Sequence, residues 1–257
     1  MANLKFNIVK CFLVSVFFFL SGNILAEEEV KLMKAEGFRK HIEIRSINEF
    51  DLPKGYHEGI HFDGENLWVS NGEKINTWIV DSRSGEIIKE IEPAGRFTES
   101  IVRAGDGSFW VSDWEDKKLY RVKIENNIMI VEQEVNLDPV RPAGMVSDGK
   151  HLYVILWDRG MGTKYFLLKM DNAGKVLNKI KINDIPEPSQ ITWDGTNFWI
   201  TSWFDNYVYK IDLAVHKMLG AFKSPVSKTT GIAWDGKSFW ITGTHANLFQ
   251  VEIISGK

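Results

Sequence analysis

Two glutamates and three tryptophans stand out in this chain because they recur at fixed places in a repeated phrase. Glu58 opens Glu-Gly-Ile-His-Phe-Asp-Gly-Glu-Asn-Leu-Trp68, and Glu99 opens a second copy that ends Asp-Gly-Ser-Phe-Trp110. Three further copies open at Ala143, Ser189 and Thr230 and close on Tyr153, Trp199 and Trp240. Four residues beyond the closing aromatics stand Gly72, Trp114, Trp157, Trp203 and Thr244. A glutamate near a second glutamate and against apolar rings holds its proton tightly, because burial and like charge both disfavour ionisation. Such a carboxyl suits general acid–base work near neutral pH. An indole offers a flat apolar face and one donor, which suits ligand stacking. Glu99 and Glu58 are therefore the candidate catalytic groups. Trp114, Trp157 and Trp203, with Ser189 and His57, are the candidate substrate-binding residues.

Each of these residues also admits a structural duty. The tryptophans could pack between neighbouring units, and the glutamates could tie adjacent loops together. His57-Glu58-x-x-His61 places two imidazoles four apart. On a helix that spacing suggests zinc, but here it falls on a loop and strand with no third ligand in sequence, so no metal is expected. His245 is placed near the same opening, where it could assist proton transfer. Gly160-Met-Gly162 lacks the strand-to-helix context of a phosphate loop. No Gly-x-Ser-x-Gly elbow occurs, so a covalent acyl-enzyme is not expected, and nothing calls for a cofactor.

The elements that must position these groups follow from the repeat itself. The closing aromatics are 42, 43, 46 and 41 residues apart. A period in the forties, with a turn pair and an aromatic in each unit, marks propeller blades. Each unit reads as four short strands. The first precedes Asp-Gly, which turns the chain because glycine accepts positive φ at little cost. The aromatic run is the second, and alternating residues such as Tyr207, Tyr209 and Ile211 mark the third. A turn at Ser84-Gly85 or Ala173-Gly174 leads into the fourth. The expected fold is an all-β, five-bladed propeller. Its repeated aromatics are core, and its Asp-Gly aspartates form turns. The fifth unit ends too early for a fourth strand, so Phe38–Ile47 is expected to complete that blade and close the ring. In a blade the first strand lines the channel and the second runs back beside it. The opening residues and the residues four past the aromatics should then share one mouth.

The 257 residues, 44% of them apolar, suffice for one domain. Lys5 and Lys10 precede an apolar run from Cys11 to Leu20, and Ser21 to Ala26 follow, the layout of a cleavable signal peptide over residues 1–26. Residues 27–37 are expected to be a flexible lead-in, and 38–257 the propeller. Removing the signal leaves no cysteine and a formal charge of −5. That excludes disulfides and thiolate chemistry and disfavours nucleic acid, which selects clustered positive charge. A periplasmic or secreted monomer without a membrane span is expected, acting on a small molecule or peptide.

Four motifs lie on these mouth residues: Tyr56-His57-Glu58-Gly59-Ile60, Phe97-Thr98-Glu99-Ser100-Ile101, Phe109-Trp110-Val111-Ser112-Asp113-Trp114 and Trp199-Ile200-Thr201-Ser202-Trp203. In order they match Phe-Thr-Gln-Gly-Leu, Phe-Gly-Glu-Gly-Leu, Leu-Tyr-Gln-Leu-Thr-Trp and Tyr-Ala-Asn-Val-Trp. Over roughly residues 55 to 252 the chain thereby resembles the plant and bacterial glutamine cyclotransferases, or glutaminyl-peptide cyclotransferases, which are five-bladed propellers. The resemblance implies metal-free cyclisation of an N-terminal glutamine with loss of ammonia. It puts Glu99 on the family's proton-shuttling glutamate and makes Trp114 and Trp203 substrate walls. Glu58 replaces the hallmark glutamine, Ala143 a third-blade tryptophan, and Pro188-Ser189 the fourth-blade Asn-Glu pair. One reading is thus a cyclase acting through Glu99. The alternative is a non-catalytic propeller that holds a peptide, sugar or small ligand on its tryptophans. A lyase or lactonase would want a His and acidic cluster that the sequence lacks.

Overall fold

In a computed structural model the chain forms an all-β ring, described over residues 32–39, 41–72 and 76–255. The expected signal peptide lies outside the described residues. No helix among the described residues is long and apolar enough to cross a membrane.

Five sheets make the five blades. Blade one is β3 (His57–Phe62), β4 (Asn66–Asn71), β5 (Asn76–Asp81) and β6 (Ile87–Ile91). Blade two is β7 (Thr98–Arg103), β8 (Phe109–Asp113), β9 (Lys118–Glu125) and β10 (Ile128–Asn136). Blade three is β11 (Arg141–Ser147), β12 (His151–Asp158), β13 (Lys164–Asp171) and β14 (Val176–Lys181). Blade four is β15 (Pro188–Trp193), β16 (Phe198–Ser202), β17 (Tyr207–Asp212) and β18 (Lys217–Lys223). Blade five holds β19 (Thr229–Trp234), β20 (Phe239–Gly243) and β21 (Leu248–Ser255).

The ring closes with an N-terminal strand, as the short fifth repeat requires. That strand is β2 (Glu43–Phe50), paired antiparallel with β21 from Glu43–Ser255 to Phe50–Leu248. It begins later than the expected Phe38–Ile47. The chain before it is not all free lead-in: β1 (Met33–Arg39) runs parallel to β18 and adds a fifth strand to blade four. Backbone pairing to an exposed edge accounts for this placement, since an outermost strand offers unpaired amides and carbonyls.

The core consists of five apolar seams between neighbouring blades. The closing aromatics are buried in them, from 0% exposed at Trp110 to 7% at Trp68 and Tyr153. The turn aspartates do more than turn the chain. Asp63 accepts the amides of Glu65 and Asn66, and its second oxygen accepts Trp68 Nε1 at 2.7 Å. Asp194 holds Trp199 in the same way at 2.7 Å, Asp235 holds Trp240 at 2.9 Å, and Asp148 takes the Tyr153 hydroxyl at 3.1 Å. One carboxylate thus fixes both the hairpin and the core aromatic five residues on. The glycine after each aspartate has positive φ, from 85° to 106°.

Candidate functional site

The first strands of all five blades line the axis, and each carries a bulge where its copy of the repeat opens. Pairing with the second strand slips between His57 and Ile60, Thr98 and Ser100, Pro142 and Met145, Pro188 and Ile191, and Thr229 and Gly231. A bulge re-aims the side chain at the extra residue. It is at these positions that Glu58, Glu99, Ala143, Ser189 and Thr230 meet around one opening.

That opening is a cavity of about 560 Å³. Glu58 and Glu99 lie in its lining, together with Trp114, Trp157, Trp203 and Ser189. The sequence therefore named six residues that the fold brings together. His57 is different: it is 1% exposed and does not line the cavity. Its ring nitrogens sit 2.8 Å from the carbonyls of Ala246 and Pro53, and its own carbonyl accepts the Thr230 hydroxyl. His57 is thus placed as a strut behind the site and outside the lining, unlike the other expected substrate-binding residues. Ser189 faces the cavity, but its hydroxyl lies 2.7 Å from Thr201 Oγ1 and donates to Thr229 O at 2.6 Å. It builds the wall and has little left to offer a ligand.

The two glutamates carry the unusual electrostatics. Burial pushes the Glu58 carboxyl well above the ordinary carboxylate range, and the charge of Glu99 pushes it further. Burial, then the charge of Asp113, pushes Glu99 up to about 8. Asp113 is itself raised by burial, although it accepts the amides of Phe97 at 2.8 Å and Asp116 at 2.7 Å. Glu58 feels the charge of Glu99, and Glu99 that of Asp113, so the two glutamates lose their protons as a coupled pair. Unlike Asp113, neither glutamate carboxyl takes a hydrogen bond from any described residue. Both residues line the cavity. No group of three or more His, Cys, Asp or Glu among the described residues could hold a metal ion.

The walls are aromatic. Trp114 and Trp157 meet edge to face with centroids 5.5 Å apart, and Trp157 Nε1 donates to Pro188 O at 2.7 Å. At the blade-one slot Gly72 has no side chain, and the Phe97 ring fills the space: a Cβ on Gly72 would lie 2.4 Å from it. Sequence reasoning passed over Phe97 because it sits two residues before Glu99, outside the repeat's opening slot. Arg159 and Lys228, also in the lining, were missed for a similar reason. Arg159 lies 5.2 Å from the Trp114 ring and 5.3 Å from Trp157, and Lys228 Nζ lies 4.7 Å from Trp203. Three lining residues, Glu187, Lys228 and His245, hold left-handed φ of 44°, 51° and 59°. The repeat does not encode this backbone strain, which gathers at functional sites. His245 does lie at the mouth, its ring 4.3 Å from Tyr56.

No protein-family model matches this chain, and no curated protein sequence does. Solved structures do. The glutaminyl cyclase of Myxococcus xanthus aligns with a TM-score of 0.65 at 15% identity, over 85% of this chain and 99% of that one. A PQQ-bound aldose sugar dehydrogenase of Streptomyces coelicolor aligns with a TM-score of 0.52 at 11% identity, over 83% of this chain and 99% of that one. At such identities the likeness is one of fold: this chain is a five-bladed β-propeller that resembles glutaminyl cyclase in architecture.

Proposed function

We propose that this protein is an exported glutaminyl-peptide cyclotransferase, converting an N-terminal glutamine to pyroglutamate with release of ammonia. One observation carries the reading. Two carboxyls with no hydrogen-bond partner among the described residues line one tryptophan-walled cavity and feel each other's charge, and Glu99 keeps its proton up to about 8. The substrate's α-amine attacks its own side-chain carboxamide carbon. As that C–N bond forms, the amine gives a proton to the ionised member of the pair. The protonated member gives its proton to the amide nitrogen as the old C–N bond breaks, and ammonia leaves. The exchange needs one proton shared between the two sites, a state reached as pH approaches the value of about 8 at which Glu99 ionises. The protein supplies no nucleophile, only the poised acid–base pair and the confinement that brings amine and carboxamide together. Export is inferred from the pattern of residues 1–26.

The test is ammonia release from glutamine-initiated peptides by the purified protein. Turnover should fall by at least about 100-fold in Glu99→Gln. A second reading is a non-catalytic binder of peptides, sugars or small ligands. It is favoured by the fourth blade, where Pro188 and the committed hydroxyl of Ser189 offer no group to hold the substrate's amine or amide. Absence of turnover, together with quenching of tryptophan fluorescence by a peptide or sugar, would establish the binder instead.

A further inference from the structure

The outer part of the cavity differs in charge from its floor. Blade three is built higher than its neighbours on this side. In blades two and four the second strand ends at Asp113 and Ser202, just before Trp114 and Trp203. In blade three β12 continues through Trp157, paired with Tyr165, to Asp158, paired with Lys164. The hairpin therefore stands above the rim, and Met161 at its tip is fully exposed. Arg159, at the base of that tip, lies over both Trp114 and Trp157. In the same lining Lys228 lies over Trp203. Among the described residues neither cation has an ion-pair partner within 4.0 Å.

The nearby anions do not cancel them. Glu115 is engaged by Arg141 at 3.4 Å. Burial, then the charge of Glu187, raises the Tyr165 phenol, while Arg159 lowers it, so Glu187 and Arg159 share that neighbourhood with no ion pair between them within 4.0 Å among the described residues. One uncommitted carboxylate thus faces two uncommitted cations, and both cations are held on indole faces with their donors available.

We propose that Arg159 and Lys228 form a subsite for an acidic side chain in the two residues that follow the substrate's N-terminal residue. This rests on the reading of the floor as the site of the substrate's N-terminus. A peptide whose amine sits at the Glu58–Glu99 pair must leave the cavity past the tryptophans, between these cations. Met161, two residues past Arg159, and Phe204, next to Trp203, are both strongly exposed apolar side chains.

The experiment compares three peptides, Gln-Glu-Glu-Ala, Gln-Gln-Gln-Ala and Gln-Lys-Lys-Ala, on the full-length protein. KM and kcat are read separately at low and high salt. The acidic peptide should have a KM roughly three- to tenfold below the neutral one, and the difference should shrink with salt. In Arg159→Gln/Lys228→Gln the ratio of acidic to neutral KM should collapse toward one. A ratio on one protein sample is insensitive to partial loss of folded enzyme. Equal KM for acidic and neutral peptides in the unaltered protein overturns the subsite while leaving cyclisation intact. Tryptophan-fluorescence titrations with Ala-Glu-Glu-Ala and Ala-Gln-Gln-Ala give the independent arm. If no peptide is cyclised but acidic ones still bind more tightly in an Arg159- and Lys228-dependent way, the subsite stands and the cyclase reading falls.

Discussion

At the scale of single residues, Glu99 combines a chemical task with a cost to the fold. Its ordinary value is 4.5, and burial beside Asp113 raises it to about 8. The native state therefore keeps a proton that the unfolded chain has already lost. Stability from this group is fully present below about 4.5 and drains away as pH rises to about 8. Glu99→Gln cannot ionise, so thermal melts of this variant between about pH 4 and 9 should show a flatter alkaline decline and a higher melting temperature at pH 8. Glu58 is shifted the same way, so some slope should remain and should go in the double variant Glu58→Gln/Glu99→Gln. A variant that loses turnover while gaining stability would mark Glu99 as functional. A merely structural glutamate would give the opposite pairing. Melting curves whose pH slope is unchanged in Glu99→Gln would show that its proton is not held by the fold.

At the scale of elements, the acids are aimed by bulges, and the bulges depend on what stands behind them. Gly231, in β19, packs against the carbonyl of Glu58: an added Cβ would meet that oxygen at 2.6 Å, with Ile60 and Thr242 also under 3.0 Å. Gly231→Ala should cost about 1–3 kcal/mol through forced backbone movement and should displace Glu58. A urea midpoint together with residual turnover measures both effects, and an unchanged midpoint would show that the seam can give. The turn clasp offers a second probe. Asp194→Ala strips the hairpin amides and Trp199 Nε1 of their acceptor and should cost about 1–3 kcal/mol with no direct effect at the distant mouth. These elements also show what the sequence disclosed. Repeated Asp-Gly and aromatic residues fix blade number and place the opening slot, because Asp194 reaches Trp199 Nε1 only when turn and aromatic keep their spacing. A bulge has no residue signature of its own, since it is a slip between two strands. The taller blade-three hairpin was likewise hidden, because Trp157 keeps its repeat spacing whether it ends a strand or continues one. Arg159 and Lys228 fall outside the repeated slots, and the ring that fills the place beside Gly72 comes from the neighbouring blade.

At the scale of the molecule, a ring of five sheets is only as stable as its last seam, and here one segment crosses three of them. Leu32 is buried in the seam between blades three and four, Ile42 between four and five, and Leu52 between five and one. Between these anchors β1 pairs with β18 and β2 pairs with β21. The segment is a strap as well as a latch, and its two halves should differ in weight. Removing residues up to 40 takes away β1 and Leu32 but leaves every blade with four strands. The cost should be near the burial of one leucine and a strand edge, about 2–4 kcal/mol, with unfolding still cooperative. Removing residues up to 52 strips blade five of its outer strand, frees the Ile42 and Leu52 pockets, and bares the edge of β21. That chain should unfold in a broadened transition, associate through the open edge, and lose turnover because blades five and one no longer hold Glu58 and Thr230 in place. A synthetic peptide of residues 41–52 added in trans should restore part of the midpoint and of the activity. If the chain lacking residues up to 52 melts as sharply as the one lacking residues up to 40, the ring is closed by its inner strands alone and the strap is incidental.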